Sequence, residues 1–472
     1  MTAVDENAVE TGAPAWLTVP DDANALDPVL WPTSARRDAD GQMLIGGSRV
    51  QSLIERFGSP VHIIDEDEFR SRARAFATSF AGWTVYYAGK AFVNRTIARW
   101  VDEEGLSLDV CSGNELAVAL STGFPPERIA MHGNNKSIAE LSAAIEAGVG
   151  RIVVDCVEEI DRVDDLAGRY GREAAVLVRV TTGVEAHTHD YIATAHEDQK
   201  FGFSLQSGQA LDALLACHAA PHIRLLGVHS HIGSQIFDTE GFAVAARRAL
   251  GLIHEFRART GTQLEEVNLG GGFGIAYTAQ DAPLSPSDLH RGLSQIVEQV
   301  RTDLDLGPLR YAIEPGRAIV GPAGVALYTV GVVKPVIVDR GSVRTYVAVD
   351  GGMSDNVRTA LYHADYTAIL AGRPSHAEPK LARVVGKHCE SGDILVRDVY
   401  LPADLRPGDI LAVPGVGAYA RALSSNYNHA ARPAVIAVGS AGVRPILRRE
   451  TLDDLLALDM GPTGPRTGQS DR

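Results

Sequence analysis

The chain has 472 residues, 45% of them hydrophobic and 22% charged, and its 44 basic against 59 acidic side chains give a formal net charge of −15. That length suits two or three domains with a large buried core, and the acidic balance argues against a nucleic-acid-binding surface. Four cysteines (Cys111, Cys156, Cys217, Cys389) without CxxC spacing argue against a disulfide framework or a structural zinc site and fit a reducing cytoplasm. Asp5, Glu6 and Glu10 stand where an export signal needs basic and then apolar residues, and no apolar run approaches the ~18 residues of a membrane span.

Residues 1–42 are rich in Ala, Asp and Pro without a sustained period and are expected to form a largely extended or disordered arm. Residues 43–59 are expected to pack with the C-terminal domain. From about Pro60 to residue 321, short apolar runs (VHIID, TVYYAG, LSLDV, RIAMHG, RIVVD, AVLVRV, IRLLGVHSH, EEVNLGGG, RYAIEPG) alternate with Ala/Leu-rich, charge-flanked segments suited to amphipathic helices. Eight or so βα units in about 260 residues predict a (β/α)8 TIM barrel; a doubly wound sheet is the weaker alternative. Polar residues and glycines follow the strands (Lys90, Asp109, His132, Arg179, His231, the glycines from Gly270 to Gly274, Glu314), so the barrel would gather them at one face. Over 322–450, runs such as YTVGVVKPVIV and DILVRDVYL between Gly, Pro and Asp turns predict an antiparallel β domain of sandwich or barrel type. Residues 451–472 would be a C-terminal helix and tail.

Three motifs carry chemistry. Lys90 in VYYAGKAF follows a strand and precedes a helix; desolvated, such a lysine would lose charge readily and form an imine, although a solvent-facing strand-end lysine reads the same. NLGGGFG (268–274) lets backbone approach a phosphate closely, or simply makes a tight βα turn. EPGR places Glu314 at a strand end, where a carboxylate can keep a heteroaromatic nitrogen protonated. Lysine, phosphate cradle and carboxylate together specify pyridoxal phosphate (PLP). In HSHIGSQ, His229 and His231 could stack, hydrogen-bond, serve structure or bind a metal, but no acidic partner is near in sequence, and no metal is expected. Ser234 can contact phosphate or belong to a turn.

YYAGKAF, LSLDVCSGNEL, HSHIGSQ, LGGGFG, EPGR, SDNVRTALY and KHCESGD, in this order, resemble the diaminopimelate decarboxylases, which are fold-type III, alanine-racemase-like PLP enzymes. The resemblance runs from about Gly47 to Gly442, and HEDQKFGFS (196–204) is similar to the actinobacterial branch. It implies a carboxy-lyase that makes L-lysine and carbon dioxide from meso-diaminopimelate, the last step of lysine biosynthesis. Lys90 would hold the cofactor, Glu314 would pair with its ring nitrogen, and His231 would lie on its face. Gly271, Gly272, Gly274, Gly316, Ser234, Arg317 and Tyr419 would surround the cofactor, its phosphate held by Gly272, Ser234 and Tyr419. Asp109 and Arg179 match polar positions of the site, though Arg179 equally suits an inward barrel ion pair. Arg317, Arg358, Tyr362, Glu390 and Tyr419 would bind substrate, with the two arginines on the distal carboxylate. Without the resemblance, Arg358 reads as a surface or structural arginine and Cys389 as an inert thiol. The resemblance makes Cys389 the proton donor and brings it, with Glu390, from the second subunit of a homodimer. Rival readings are a related decarboxylase of ornithine, arginine or carboxynorspermidine, or a non-catalytic homologue.

Overall fold

Eight parallel strands, each too apolar to leave either face in water, close on themselves in a computed structural model that describes residues 13–184, 200–337 and 343–461. The strands are β1 (Thr84–Ala88), β2 (Ser107–Val110), β3 (Ile129–Met131), β4 (Arg151–Val154), β5 (Ala174–Thr181), β6 (Ile223–His229), β7 (Glu266–Asn268) and β8 (Arg310–Ile313). They pair in sequence order, β8 returning to β1 and β4 to β5. This is the TIM barrel that the βα repeat predicts. Helices begin where the sequence offers caps. Asn94, Ser112 and Ser285 each accept a backbone N–H at a helix start, and Ser137 forms a reciprocal capping box with Glu140.

The run VHIID, which sequence groups with the barrel strands, lies elsewhere. Val61–Asp65 pairs antiparallel with β9 (Gly324–Ile337) and parallel with β14 (Ala434–Val438), inside the second domain's sheet. All five of its residues are buried, and a run buried on both faces does not reveal which sheet buries it. The second domain adds β10 (Val343–Val349), β11 (Pro379–Val385), β12 (Ile394–Pro402) and β13 (Ile410–Pro414). Most of its pairings are antiparallel, with β10–β11 and Val61–Asp65 with β14 as parallel exceptions. β9 holds the domain together: its first half pairs with β13 and Val61–Asp65, its second with β10.

Residues 13–42 have little regular structure, yet their later part is tied down. Leu30 and Trp31 are buried in one cluster with Met43, Ile45, Val61, Val325 and Ile436, and the Arg37 guanidinium donates to the carbonyl of Leu370. The helix Val50–Phe57 contributes Val50 and Leu53 to the same cluster. Among the described residues no helix is long and apolar enough to cross a membrane. The ends of the arm and tail, and residues 196–199 of HEDQKFGFS, lie outside the described residues.

Candidate active site

A cleft of about 810 Å3, counting the solvent at its mouth, opens where the C-terminal strand ends of the barrel meet the second domain. Lys90, His231, Ser234, Gly271, Gly272, Glu314, Gly316 and Arg317 line it from the barrel, and Arg358, Tyr362 and Tyr419 from the second domain.

Lys90 stands on a single 3-10 turn, Gly89–Ala91, directly after β1, and its side chain projects into the cleft. Its charge state differs from the sequence expectation. Burial works to strip the proton, but Tyr419, Cys111, Asp109 and Glu314 outweigh it and hold the ammonium above its ordinary range. Acidic residues at the ends of β2 and β8, Asp109 and Glu314, share the same floor.

Glu314, at the end of β8, is only 6% exposed and heavily partnered. Its Oε1 accepts a hydrogen bond from Asn268 Nδ2 at 2.8 Å and lies 3.1 Å from His132 Nε2; its Oε2 meets His229 Nε2 at 3.2 Å. Burial would push the carboxyl up, yet His229 and His132 hold it well below the usual carboxylate range, so it is an anion. The acidic partner that HSHIGSQ lacks in sequence is thus supplied in space. Burial depresses His229 to about 4 and takes His231 well below its ordinary value, which leaves both imidazoles neutral. His231 Nδ1 accepts the Gly271 N–H at 3.2 Å.

The glycines have two separable duties. A Cβ on Gly271 would stand 2.2 Å from the Glu314 carbonyl oxygen, and one on Gly272, at φ +107°, 2.3 Å from that of Gly233. Bare backbone is therefore obligatory between the β6, β7 and β8 turns, and it forms the wall of the cleft. Gly274 does not line the cleft; its Cβ would strike the Phe237 ring at 2.7 Å. A Cβ on Gly316 would stand 2.7 Å from the carbonyl oxygen of Ala88, two residues before Lys90.

Two arginines face the cleft from braced positions. Arg317 donates to the Tyr277 hydroxyl and to Ser234 Oγ, both at 2.7 Å, with its guanidinium 4.6 Å from the centre of the Tyr419 ring. Arg358 is 3% exposed, donates to the Tyr366 hydroxyl at 2.6 Å and lies 4.4 Å from the Tyr277 ring centre. Sequence offered no reason to select Tyr277 or Tyr366; Tyr277 is 40 residues from the arginine it meets, and Tyr366 is 8 from its own.

Other residues singled out by sequence stand apart. Asp109 is buried beside the cleft, pushed up to about 6 by burial, against which His132 pulls. Arg179 is 3.9 Å from Asp155 and lies over the Phe201 ring, the ion-pair arrangement that sequence left open. Cys389 and Glu390 are exposed on the second domain and do not line this cleft. His132 and Asn268 had no assigned role in sequence, though both follow or end strands.

The residues present fit a phosphorylated pyridine aldehyde. A lysine, an anionic carboxylate, a neutral imidazole and a backbone wall with Ser234 converge on one cleft, the kinds of group that would suit the carbonyl, ring nitrogen, ring face and phosphate of PLP. Fold and site thus define a PLP enzyme built on a TIM barrel. Comparison with known proteins narrows the class. The family described as "Pyridoxal-dependent decarboxylase, pyridoxal binding domain" matches residues 66–321. The diaminopimelate decarboxylase of Mycobacterium tuberculosis is 53% identical over 440 residues, covering 92% of this chain and 98% of its own. That of Corynebacterium efficiens is 47% identical over 461 residues, 98% of this chain and 100% of its own. A crystal structure of diaminopimelate decarboxylase from M. jannaschii in complex with L-lysine superposes with a TM-score of 0.85 at 30% identity, over 92% of this chain and 99% of that one. The chain belongs to the diaminopimelate decarboxylases within the pyridoxal-dependent decarboxylase family, and its cofactor is PLP.

Proposed function

We propose that this protein decarboxylates meso-diaminopimelate to L-lysine and carbon dioxide, as a cytoplasmic homodimer whose two subunits complete each active site. The observation that carries the substrate reading is that two braced guanidiniums, Arg317 and Arg358, line the same cleft as Lys90. A substrate with a carboxylate at its far end uses such forks bidentately. A cation-ended amino acid such as ornithine would meet them with like charge, which disfavours that rival.

PLP, when bound, supplies an electron-withdrawing ring that takes up the electron pair left as the α-carboxylate departs. Lys90 Nζ would hold the cofactor. Glu314 would keep a proton at the ring nitrogen, and neutral His231 would cover the ring face without adding charge. Arg317 and Arg358 would hold the distal carboxylate and so choose the D centre, not the L centre, for reaction. Tyr362 and Tyr419 add hydroxyl contacts.

Cys389 and Glu390 supply the remaining functions, a proton from Sγ to the α-carbon and an anion for the distal ammonium. Both are exposed and outside their own chain's cleft, which supports their delivery to a second subunit. Their loop is stiff enough for the task. Asp393 accepts the backbone N–H groups of Met353 and His388 at 2.6 and 2.7 Å, and His388 Nε2 sits 2.8 Å from Ser354 Oγ.

The test is mass-spectrometric analysis of products from the PLP-loaded protein given meso-diaminopimelate, L-ornithine or L-arginine, with Lys90→Ala as control. Lysine from diaminopimelate alone, and only with Lys90 intact, is expected. Putrescine or agmatine would overturn the substrate, and no product from any of the three would overturn the enzyme reading.

A further inference from the structure

We propose that His229, together with His132 and Asn268, is a positioning group that keeps the proton shared by Glu314 and the cofactor's ring nitrogen on the nitrogen. The inference rests on Glu314 pairing with that nitrogen and goes beyond it, since a carboxylate beside a pyridine does not by itself decide which of the two holds the proton.

Geometry decides it. A carboxylate that has already accepted N–H donors is a weaker base. Glu314 accepts from Asn268 Nδ2 on one oxygen and from His229 on the other, and His132 Nε2 approaches the first at 3.1 Å. An ionised carboxylate only accepts, so the proton of His229 lies on Nε2. Among the described residues its buried Nδ1 has no hydrogen-bond partner, which makes this ring neutral. A neutral donor lowers the basicity of Glu314 without setting a cation against a protonated ring.

The remaining charged groups nearby are compatible with this assignment. Asp109 from β2 lies 4.0 Å from His132 Nε2 and balances it, and Asp109 and Glu314 together raise the His132 ring against its burial. Arg179 from β5 leans toward Asp155, and Lys90 opens into the cleft. His132 and His229 touch edge to face at 4.8 Å, so the two rings fix one another's tilt over the carboxylate.

The experiment is 15N magnetic resonance of protein loaded with PLP labelled at the ring nitrogen, read beside steady-state kinetics on meso-diaminopimelate. The wild type should show a protonated pyridine. His229→Leu should move the resonance most of the way to the neutral position and lower kcat about tenfold while KM changes less than about twofold, the pattern of a lost electron sink. His229→Gln retains an N–H donor and should restore most of both. If His229→Leu does not fold, His132→Leu gives the same reading with a smaller displacement. A resonance that stays at the protonated position in the leucine variant overturns the proposal whatever its rate. Glu314→Gln separates the two levels: if it too leaves the resonance unmoved, the pairing of Glu314 with the nitrogen has failed, whereas a shift there with none in His229→Leu sinks only the role of the histidines.

Discussion

The two ends of the barrel each bury a glutamate, and they solve the resulting charge in opposite ways. At the N-terminal end Glu266, 2% exposed, is gripped by the Arg151 guanidinium at 2.8 to 3.2 Å and approached by Arg310 at 3.5 Å. At the C-terminal end Glu314 has imidazoles and an amide instead. Arginine is a permanent cation, so the lower glutamate is fully neutralised in place and has no capacity left for a ligand. Imidazole and amide donors satisfy the upper glutamate's hydrogen bonds while leaving much of its charge to act on whatever enters the cleft. The bottom of the barrel reads as stability and the top as chemistry.

Exchanging one group at a time should break that symmetry, most severely at the top. Lys90→Ala should abolish turnover and the covalent hold on PLP, seen as loss of the bound-cofactor absorbance on gel filtration. Glu314→Gln should lower kcat by about a hundredfold or more with a smaller fall in the urea midpoint than Glu266→Gln, because the amide keeps the shape of the site but loses its charge and one acceptor oxygen. Glu266→Gln should do the reverse, costing about 3 kcal/mol in urea unfolding by leaving Arg151 unmatched, with kcat nearly unchanged. Arg358→Lys, which replaces a braced fork by a point charge, should raise KM for meso-diaminopimelate about tenfold with a smaller effect on kcat.

The smallest effect is a pH dependence. His229 is depressed to about 4 in the fold, against an ordinary value near 6.5. As pH falls below 6.5 the unfolded chain takes up a proton that the folded one refuses until about 4, so this residue's contribution to stability declines across that window and is undiminished above it. Relative to wild type, His229→Leu should therefore gain stability between pH 6.5 and 4, by at most about 1.4 kcal/mol per pH unit. Paired urea titrations at pH 7 and pH 5 would measure it, and an unchanged difference between the two pH values would place the charge of His229 elsewhere.

Much of this was legible in the sequence because the βα repeat leaves its polar residues at strand ends, and those ends converge whatever the helices do. Lys90, Ser234, Gly272, Glu314 and Arg317 line one cleft for that reason. VHIID escaped, since a strand buried on both faces looks alike in a barrel and in a sandwich. For the arm, sequence suggests only that its later part can pair with the β domain, because its anchors, Leu30 and Trp31, are few and carry no period. The partnership of His229 with Glu314 spans 85 residues, and no local pattern encodes a contact made by β6 and β8 across a barrel. Without the resemblance Arg358 reads as a surface or structural arginine for a similar reason: its braces are Tyr366, on the segment after it, and Tyr277, from the barrel.

The most direct test of a site built by two subunits is complementation between two inactive variants, Lys90→Ala and Cys389→Ala, unfolded and refolded together at equal ratio with PLP. If Cys389 acts on the partner's Lys90, each mixed dimer carries one intact site, and random pairing returns about a quarter of wild-type lysine formation. Recovery no greater than the sum of the two variants alone would contradict a shared site.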